Sequence, residues 1–95
     1  MGTFGSLIDA PQPVLLVFYV TGKAPDDQDL LRISRESGPE SRIIKIDVRK
    51  NPDLAEALRI REFPTYMIYR NGEMCWRSFG FQTPETLVGF LKAYS

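Results

Sequence analysis

The sequence predicts an α/β fold, with a mixed four-stranded sheet flanked by helices. Three observations lead to this prediction. Residues 14–20, VLLVFYV, form a continuous apolar run, which is typical of a strand covered on both faces. A helix-type segment and a second strand-type segment follow, and this order indicates a parallel crossover. The dipeptide Asn71-Gly72 then separates two further strand-type segments and is the strongest short signal for a hairpin.

Size and composition limit the classes of protein that need to be considered. A chain of 95 residues can bury one core but not two, so we expect one domain over residues 1–95. The formal net charge is +0 and both signs are interleaved, so we expect no nucleic acid and no membrane as partner. No apolar run reaches the roughly 20 residues of a spanning helix, and no signal-peptide pattern is present. We therefore expect a cytoplasmic location.

The sequence contains a single cysteine, Cys75, and no histidine. An intramolecular disulfide is therefore excluded, and the commonest general base and transition-metal ligand is absent. Asp47 and Asp53 are too few for a metal site, so we expect neither metal nor cofactor. These features argue against an enzyme, and the sequence contains no catalytic constellation, although it does not settle the question.

The first half of the chain predicts two helices and two strands. Residues 3–10 form a weak helix candidate, in which Phe4, Leu7 and Ile8 share one face. Pro25 suits the first turn of the next helix, which we expect over residues 25–36. The expected apolar contacts of that helix come from Leu30, Leu31 and Ile33. Residues 42–48, RIIKIDV, alternate in part and predict the second strand.

The second half predicts a helix, a hairpin and a final helix. Asn51-Pro52 provides an N-cap and a first helical residue. The segments TYMIYR and EMCWRSF flank Asn71-Gly72 and predict two antiparallel strands. Thr83-Pro84-Glu85 begins the last helix with a cap, a proline and a favourable negative charge. The expected buried stripe of that helix is Leu87, Val88, Phe90, Leu91 and Tyr94.

Residues 45–73, KIDVRKNPDLAEALRIREFPTYMIYRNGE, resemble the thioredoxin family in the order and spacing of strand, helix, proline loop and hairpin. The resemblance covers residues 14–95 and implies a thioredoxin-like fold with a cis bond before Pro64. It also implies that Phe63 offers its main chain to an extended segment and that Gly80 lies near the same groove. Only residues 1–12 precede the first strand, so we expect the family's N-terminal strand to be missing and one sheet edge to be more exposed.

The resemblance also shows which reactive groups have been replaced. The family's Cys-Gly-Pro-Cys motif falls on Lys23-Ala24-Pro25-Asp26, so its proline remains and both cysteines are gone. The tryptophan before the motif falls on Gly22, and the family's buried carboxylate falls on Val17. Thiol–disulfide exchange needs an attacking thiolate and a second, resolving thiol. The resemblance therefore implies a redox-inactive member of the family.

Three functional hypotheses follow. The first is that the domain binds a protein or peptide partner in a groove at the proline loop. The expected groove residues are Gly22, Lys23, Ala24, Pro25, Asp26, Phe63, Pro64, Thr65, Gly80 and Phe81. The second is a thiol–disulfide oxidoreductase, or a protein of redox homeostasis, that uses Cys75 alone. The third is a structural domain that forms a homodimer through a sheet edge.

Several residues also have plainer interpretations. Cys75 fits a small apolar residue in a strand, and we expect Arg77, on the same strand face, to be the one neighbour able to lower its thiol pKa. Trp76 either anchors an interface or packs inside the fold. Phe63-Pro64 either contacts a partner or merely shapes a turn.

Overall fold

A computed structural model describes residues 3–95, so residues 1 and 2 lie outside the description. The elements in chain order are α1 (Thr3–Ile8), β1 (Val14–Tyr19), α2 (Asp27–Ser37), β2 (Arg42–Asp47), a 3-10 turn (Val48–Lys50), α3 (Pro52–Ala57), β3 (Thr65–Arg70), β4 (Glu73–Phe79) and α4 (Pro84–Ala93). The predicted fold class, a mixed four-stranded sheet flanked by helices, is confirmed. None of the helices described over residues 3–95 is long and apolar enough to cross a membrane.

The sheet has the strand order β2-β1-β3-β4. Strands β1 and β2 are parallel, whereas β3 is antiparallel to both β1 and β4. The predicted double coverage of β1 is confirmed, because residues 14–18 are all 0% exposed. Within residues 3–95 no strand precedes β1, so β2 is an edge strand, as expected.

Two apolar cores lie on opposite sides of the sheet. Successive side chains of a strand point to opposite faces, so β1 contributes to both cores. The α1/α3 face contains Val14, Leu16, Phe18, Ile46, Met67 and Tyr69 together with residues of α1 and α3. The α2/α4 face contains Leu15, Val17, Tyr66 and Ile68 together with Leu30, Ile33, Leu87, Val88 and Leu91 of the two helices.

Helix α2 begins two residues later than predicted. Asp26 is extended, with φ −64° and ψ 136°, and its side chain accepts the main-chain N–H of Gln28 at 2.9 Å. Asp26 is therefore the N-cap, and the prediction of Pro25 in the first turn is wrong, because a side-chain cap outweighs the preference of proline for that turn. The expected core contact of Leu31 is also wrong, since this residue is 52% exposed and only its neighbours Leu30 and Ile33 face the sheet.

The hairpin strands have the predicted bounds, and the last helix begins where predicted. Asn71 and Gly72 both have positive φ, 54° and 80°, as a tight two-residue turn requires. Thr83 caps α4 by accepting the main-chain N–H of Thr86 at 3.2 Å. Of the predicted α4 stripe, Leu87, Val88 and Leu91 are buried, whereas Phe90 and Tyr94 are half-buried. Asn51 occupies the N-cap of α3, but its side chain makes no capping bond and instead donates to the Asp47 carbonyl.

Candidate functional site

Three loops meet at one end of the sheet. Phe18, near the end of β1, pairs with Thr65 at the start of β3, and Thr65 pairs with Phe79 at the end of β4. The β1–α2 loop, the α3–β3 loop and the β4–α4 loop therefore lie side by side. This region, comprising residues 20–26, 58–65 and 79–83, is called the loop end below. It contains all ten residues that the sequence predicts for the groove.

The β1–α2 loop is a compact turn. The main-chain N–H of Lys23 donates to the Val20 carbonyl at 2.9 Å, and the turn requires Gly22 to adopt a φ of +86°, a region that glycine enters at little cost. Lys23 and Asp26 are exposed, and Ala24 lies half-buried between them. The two positions that match the family's cysteines thus present an ammonium group and a helix-capping carboxylate, and neither group can exchange sulfur.

The proline loop is tied to its neighbours by short hydrogen bonds. The Phe63–Pro64 peptide bond is cis. The Pro64 carbonyl accepts the main-chain N–H of Gly80 at 2.9 Å, and the Thr65 hydroxyl donates to the Glu62 carbonyl at 2.6 Å. Pro64 and Thr65 are buried. These bonds hold the α3–β3 loop against the β4–α4 loop, which gives the loop end a defined shape.

Phe63 presents an unpaired main chain beside this anchored proline. Within residues 3–95 neither its N–H nor its C=O takes part in a hydrogen bond. Its side chain is half-buried and packs against the α1/α3 face. The ring is therefore part of the fold, whereas the main-chain groups of the same residue are available to pair with another extended segment.

Two residues of the loop end have exposed aromatic rings. Phe79 is 56% exposed and Phe81 is 63% exposed. Phe79 is absent from the predicted groove residues, although its position directly before Gly80 was a usable signal. Trp76 is not exposed in this way, because its ring stacks on Phe90 of α4 with centroids 4.4 Å apart. The packing interpretation of Trp76 therefore holds.

Cys75 lies away from the loop end, on the part of β4 nearer the hairpin turn. The register shifts there, since Ile68 pairs with Trp76 and Tyr69 pairs with Met74, which leaves Cys75 as the extra residue of a β-bulge. Its side chain is half-buried against the α2/α4 face, with the sulfur 3.7 Å from the Glu73 carbonyl. This placement agrees with the interpretation of Cys75 as a small apolar residue in a strand.

The expectation that Arg77 shares the face of Cys75 is wrong. The guanidinium of Arg77 donates to the carbonyls of Leu58 at 2.7 Å and Arg59 at 3.0 Å, just beyond α3. It therefore lies on the α1/α3 face. The bulge explains the difference, because one extra residue breaks the alternation that would otherwise direct both side chains to the same side.

The interior below the loop end is apolar. Val17 is 0% exposed and pairs with Tyr66, whose hydroxyl has no hydrogen-bond partner within residues 3–95. Burial raises the pKa of Tyr66; the nearby main chain of Gln82 opposes this, but it lies outside hydrogen-bond geometry. Within the described residues the buried polar side chains are Ser37 and Thr65, so this interior contains no buried carboxylate to move a proton. No group of three His, Cys, Asp or Glu side chains in the described part of the chain could hold a metal ion.

Comparisons with known proteins agree with this geometry. A family model described as Thioredoxin matches residues 3–93. Chloroplastic thioredoxin Y of Oryza sativa subsp. japonica is 32% identical over 90 residues, which are 90% of this chain and 54% of the rice protein. A thioredoxin-like protein of Synechocystis sp. is 30% identical over 92 residues, covering 93% of this chain and 87% of the relative. The chain thus spans about half the length of the rice relative.

The solved structures lead to the same fold. The crystal structure of thioredoxin from Trypanosoma brucei brucei superposes with a TM-score of 0.83, covering 98% of this chain and 83% of that one at 21% identity. At that identity the likeness shows the fold alone. The family itself rests on the matched model and on the cyanobacterial relative. This chain therefore belongs to the thioredoxin family and lacks the family's two-cysteine motif, since its only cysteine is Cys75.

Proposed function

We propose that this chain binds an extended segment of a protein partner at the loop end and performs no thiol–disulfide exchange there. The observation that carries the proposal is the unpaired main chain of Phe63 beside the anchored Pro64. An extended segment that pairs with this N–H and C=O would add a short strand to the loop end. Such pairing gives affinity through main-chain hydrogen bonds and needs no reactive side chain.

The exposed rings of Phe79 and Phe81 support the same proposal. Large aromatic side chains dominate the energetics of many interfaces, and both rings are more than half exposed. A partner side chain that covers these two rings removes their apolar surface from water. Such burial stabilises the complex by about 25 cal/mol for each Å² of apolar surface. The preferred partner segment is therefore extended and carries apolar side chains.

The proposed absence of thiol–disulfide exchange depends on where the chain has its cysteine. Relatives named thioredoxins suggest redox chemistry for the family, but exchange and resolution together need two thiols. Lys23 and Asp26 stand where the family has cysteines, and Cys75 lies on β4 away from the loop end. The alternative is a single-thiol oxidoreductase that uses Cys75. Insulin reduction by the wild type, compared with Cys75→Ser, separates the two: turnover that disappears in the variant establishes the alternative.

Partner binding at the loop end is tested by substituting two exposed apolar residues that lie at opposite ends of the sheet. Phe81 lies at the loop end, and Met74, 44% exposed, lies beside the hairpin turn. Partners are captured from native lysate and quantified for the wild type, Phe81→Asp and Met74→Asp. We expect Phe81→Asp to lose bound partners and Met74→Asp to keep them. Equal retention by both variants contradicts binding at the loop end.

A second candidate function is a structural one, in which the chain forms a homodimer through β2. The outer edge of that strand, which pairs with no other strand of the sheet, favours this function. The N–H of Arg42 donates to the Pro13 carbonyl, so alternation directs the main chain of Ile43 and Lys45 away from β1. These outward groups have no partner within residues 3–95, and β2 carries no bulge. A second copy related by a two-fold axis would pair there in the antiparallel sense.

Sedimentation over a range of protein concentrations tests the homodimer. Ile43→Pro removes one outward N–H while leaving the bonds to β1 in place, since proline is tolerated where an edge strand faces solvent. We expect a concentration-dependent dimer of the wild type and a monomer of Ile43→Pro. A wild type that stays monomeric at high concentration rules the edge contact out.

A further inference from the structure

A small pocket beside the proline loop has an unusual lining. Its volume is about 180 Å³, and it lies between the α3–β3 loop and the end of β4. The lining residues of this arginine pocket are Arg59, Arg61, Glu62, Thr65, Arg77 and Phe79. All of these residues except Arg77 belong to the loop end, and Thr65 directly follows Pro64.

The charge in this pocket is not balanced from within the fold. Three arginines and one glutamate line it, although the chain as a whole has a formal net charge of +0. The ion pairs formed within residues 3–95 involve Arg32 and Lys45, and none includes an arginine of the pocket. A concave surface with excess positive charge attracts anions more strongly than a flat one, because the low-dielectric walls concentrate the field.

Arg77 is the fixed member of the group. Its side chain is half-buried, and two of its N–H groups donate to the carbonyls of Leu58 and Arg59. Arg59 adopts a φ of 56°, which is uncommon for a residue other than glycine, and its carbonyl accepts from Arg77 at 3.0 Å. Carbonyl oxygens therefore position this guanidinium without neutralising it. A guanidinium has five N–H donors, so others remain for a ligand.

The position of the pocket relative to Phe63 identifies the ligand. Arg61 and Glu62 directly precede Phe63, and an extended segment advances about 3.3 Å per residue. A segment that paired with the main chain of Phe63 and ran alongside residues 61 and 62 would place a side chain about two residues away near the pocket. Carboxylates bind guanidinium groups through short, charge-assisted hydrogen bonds, often two at once.

We propose that the partner segment bound at Phe63 carries an acidic side chain that enters the arginine pocket. This inference rests on the proposed function and adds to it the chemistry of the partner: an extended segment with an acidic residue about two positions from the residue that pairs with Phe63, flanked by apolar side chains that cover Phe79 and Phe81.

The test uses a positional array of synthetic decapeptides in which each position is varied in turn. The best binder is then prepared as an Asp and an Asn version, and both affinities are measured by fluorescence anisotropy at low and high salt. We expect the Asp peptide to bind on the order of tenfold more tightly at low salt, since hydrogen bonds between charged groups are the stronger ones. At high salt the ratio of the two affinities should move closer to one, because salt screens the interaction between the charges.

Two variants locate the effect. Arg61→Gln removes one exposed charge of the pocket, and Arg35→Gln removes an exposed charge from the last turn of α2. We expect Arg61→Gln to lower the Asp/Asn ratio to about twofold and Arg35→Gln to preserve it. An equal loss of the ratio in both variants assigns the effect to general surface charge and overturns the inference.

The array also separates this inference from the proposed function. One outcome is that peptides bind the wild type, bind Phe81→Asp more weakly and show no preference for an acidic residue. In that case the arginine pocket is not a recognition element, and the proposed function at the loop end stands. If no decapeptide of any composition binds, the proposed function fails and this inference fails with it.

Discussion

Asp26 shows how a reactive position can become a structural one. By resemblance it stands where the family has its second cysteine, and here its carboxylate accepts the main-chain N–H of Gln28 at 2.9 Å. A cap of this type stabilises a helix by about 1 kcal/mol. Val17, which replaces the buried carboxylate, likewise contributes apolar packing at 0% exposure. At both positions the side chain now contributes to stability and not to sulfur chemistry.

Tyr66→Phe is predicted to leave the fold at least as stable as the wild type. The Tyr66 hydroxyl is buried on the α2/α4 face and has no hydrogen-bond partner among the residues that the structure describes, and an unpaired buried polar group costs about 1–3 kcal/mol. Phenylalanine keeps the ring and removes that cost. We expect the free energy of unfolding in urea to stay unchanged or to rise by up to about 1 kcal/mol.

The matched control is Tyr69→Phe, because Tyr69 lies on the opposite face of β3 and its hydroxyl is not among the buried unpaired groups. Tyr69→Phe should not raise the stability. A loss of more than about 1 kcal/mol in Tyr66→Phe would mean that the hydroxyl is hydrogen-bonded in solution.

At the scale of elements, helices α2 and α4 pack side by side on one face of the sheet. Their coupling is mainly apolar, through Leu30, Ile33, Leu87 and Leu91. Arg32 also lies 2.6 Å from Glu85, and the main-chain N–H of Glu85 and the Arg32 guanidinium lower the pKa of that carboxyl group. Both side chains are exposed, so the ion pair adds little and the position of α4 depends on its core stripe and its cap.

Thr83→Ala is predicted to destabilise the protein by about 1 kcal/mol. The Thr83 hydroxyl accepts the main-chain N–H of Thr86 at 3.2 Å, and alanine leaves this N–H without a side-chain partner. Urea unfolding measures the loss, and Thr83→Ser should recover most of it, because serine supplies the same acceptor. An alanine variant as stable as the wild type would show that solvent caps α4 equally well.

The elements whose signals are local were predictable from the sequence. The hairpin has the expected bounds because Asn71 and Gly72 both tolerate positive φ, and α4 begins where Thr83 and Pro84 indicate. The start of α2 was misplaced at Pro25, because the observed start depends on the bond from the Gln28 N–H to the Asp26 carboxylate. These boundaries depend on single hydrogen bonds that a residue pattern does not contain.

The geometry of the candidate site was predictable only in part, and β4 shows why. The pairing of Phe18, Thr65 and Phe79 brings the predicted loops together, as the fold class implies. The bulge at Cys75, however, reverses the faces of the residues after it, and nothing in EMCWRSF marks where it falls. The arginine pocket depends on that reversal, because without it Arg77 would not reach the carbonyls beyond α3.

At the scale of the whole molecule, the chain has most of the thioredoxin scaffold but no cysteine at the two positions of the family's motif. The four central strands, the capped helix after β1 and the anchored proline loop are present, and a family model matches residues 3–93. By resemblance, the loop end departs from the family's pattern at both cysteines, at the tryptophan that falls on Gly22 and at the buried carboxylate that falls on Val17. Because the strand, loop and helix that carry the motif in the family are all present here, we expect the β1–α2 loop to accept the two cysteines.

Lys23→Cys/Asp26→Cys, made in a Cys75→Ser background, is therefore predicted to form an internal disulfide and to gain insulin-reduction activity. Cysteines at these positions flank Ala24-Pro25 and precede the N-terminus of α2, where the helix dipole favours a thiolate. The activity should remain below that of a two-cysteine thioredoxin, because Val17 supplies no buried acid for proton transfer. Removing the Asp26 cap should lower stability by about 1 kcal/mol.

Mass spectrometry with and without reductant detects the disulfide, and the two single-cysteine variants in the same background are the controls. Each single variant should reduce insulin far more slowly than the double variant, since its mixed disulfide must be resolved by an external thiol. A double variant whose cysteines stay reduced under air would show that the β1–α2 loop holds residues 23 and 26 too far apart for a disulfide. In that case the loop end would differ in shape from that of the redox-active members. The way in which those members dock their substrates would then not explain partner binding at this loop end.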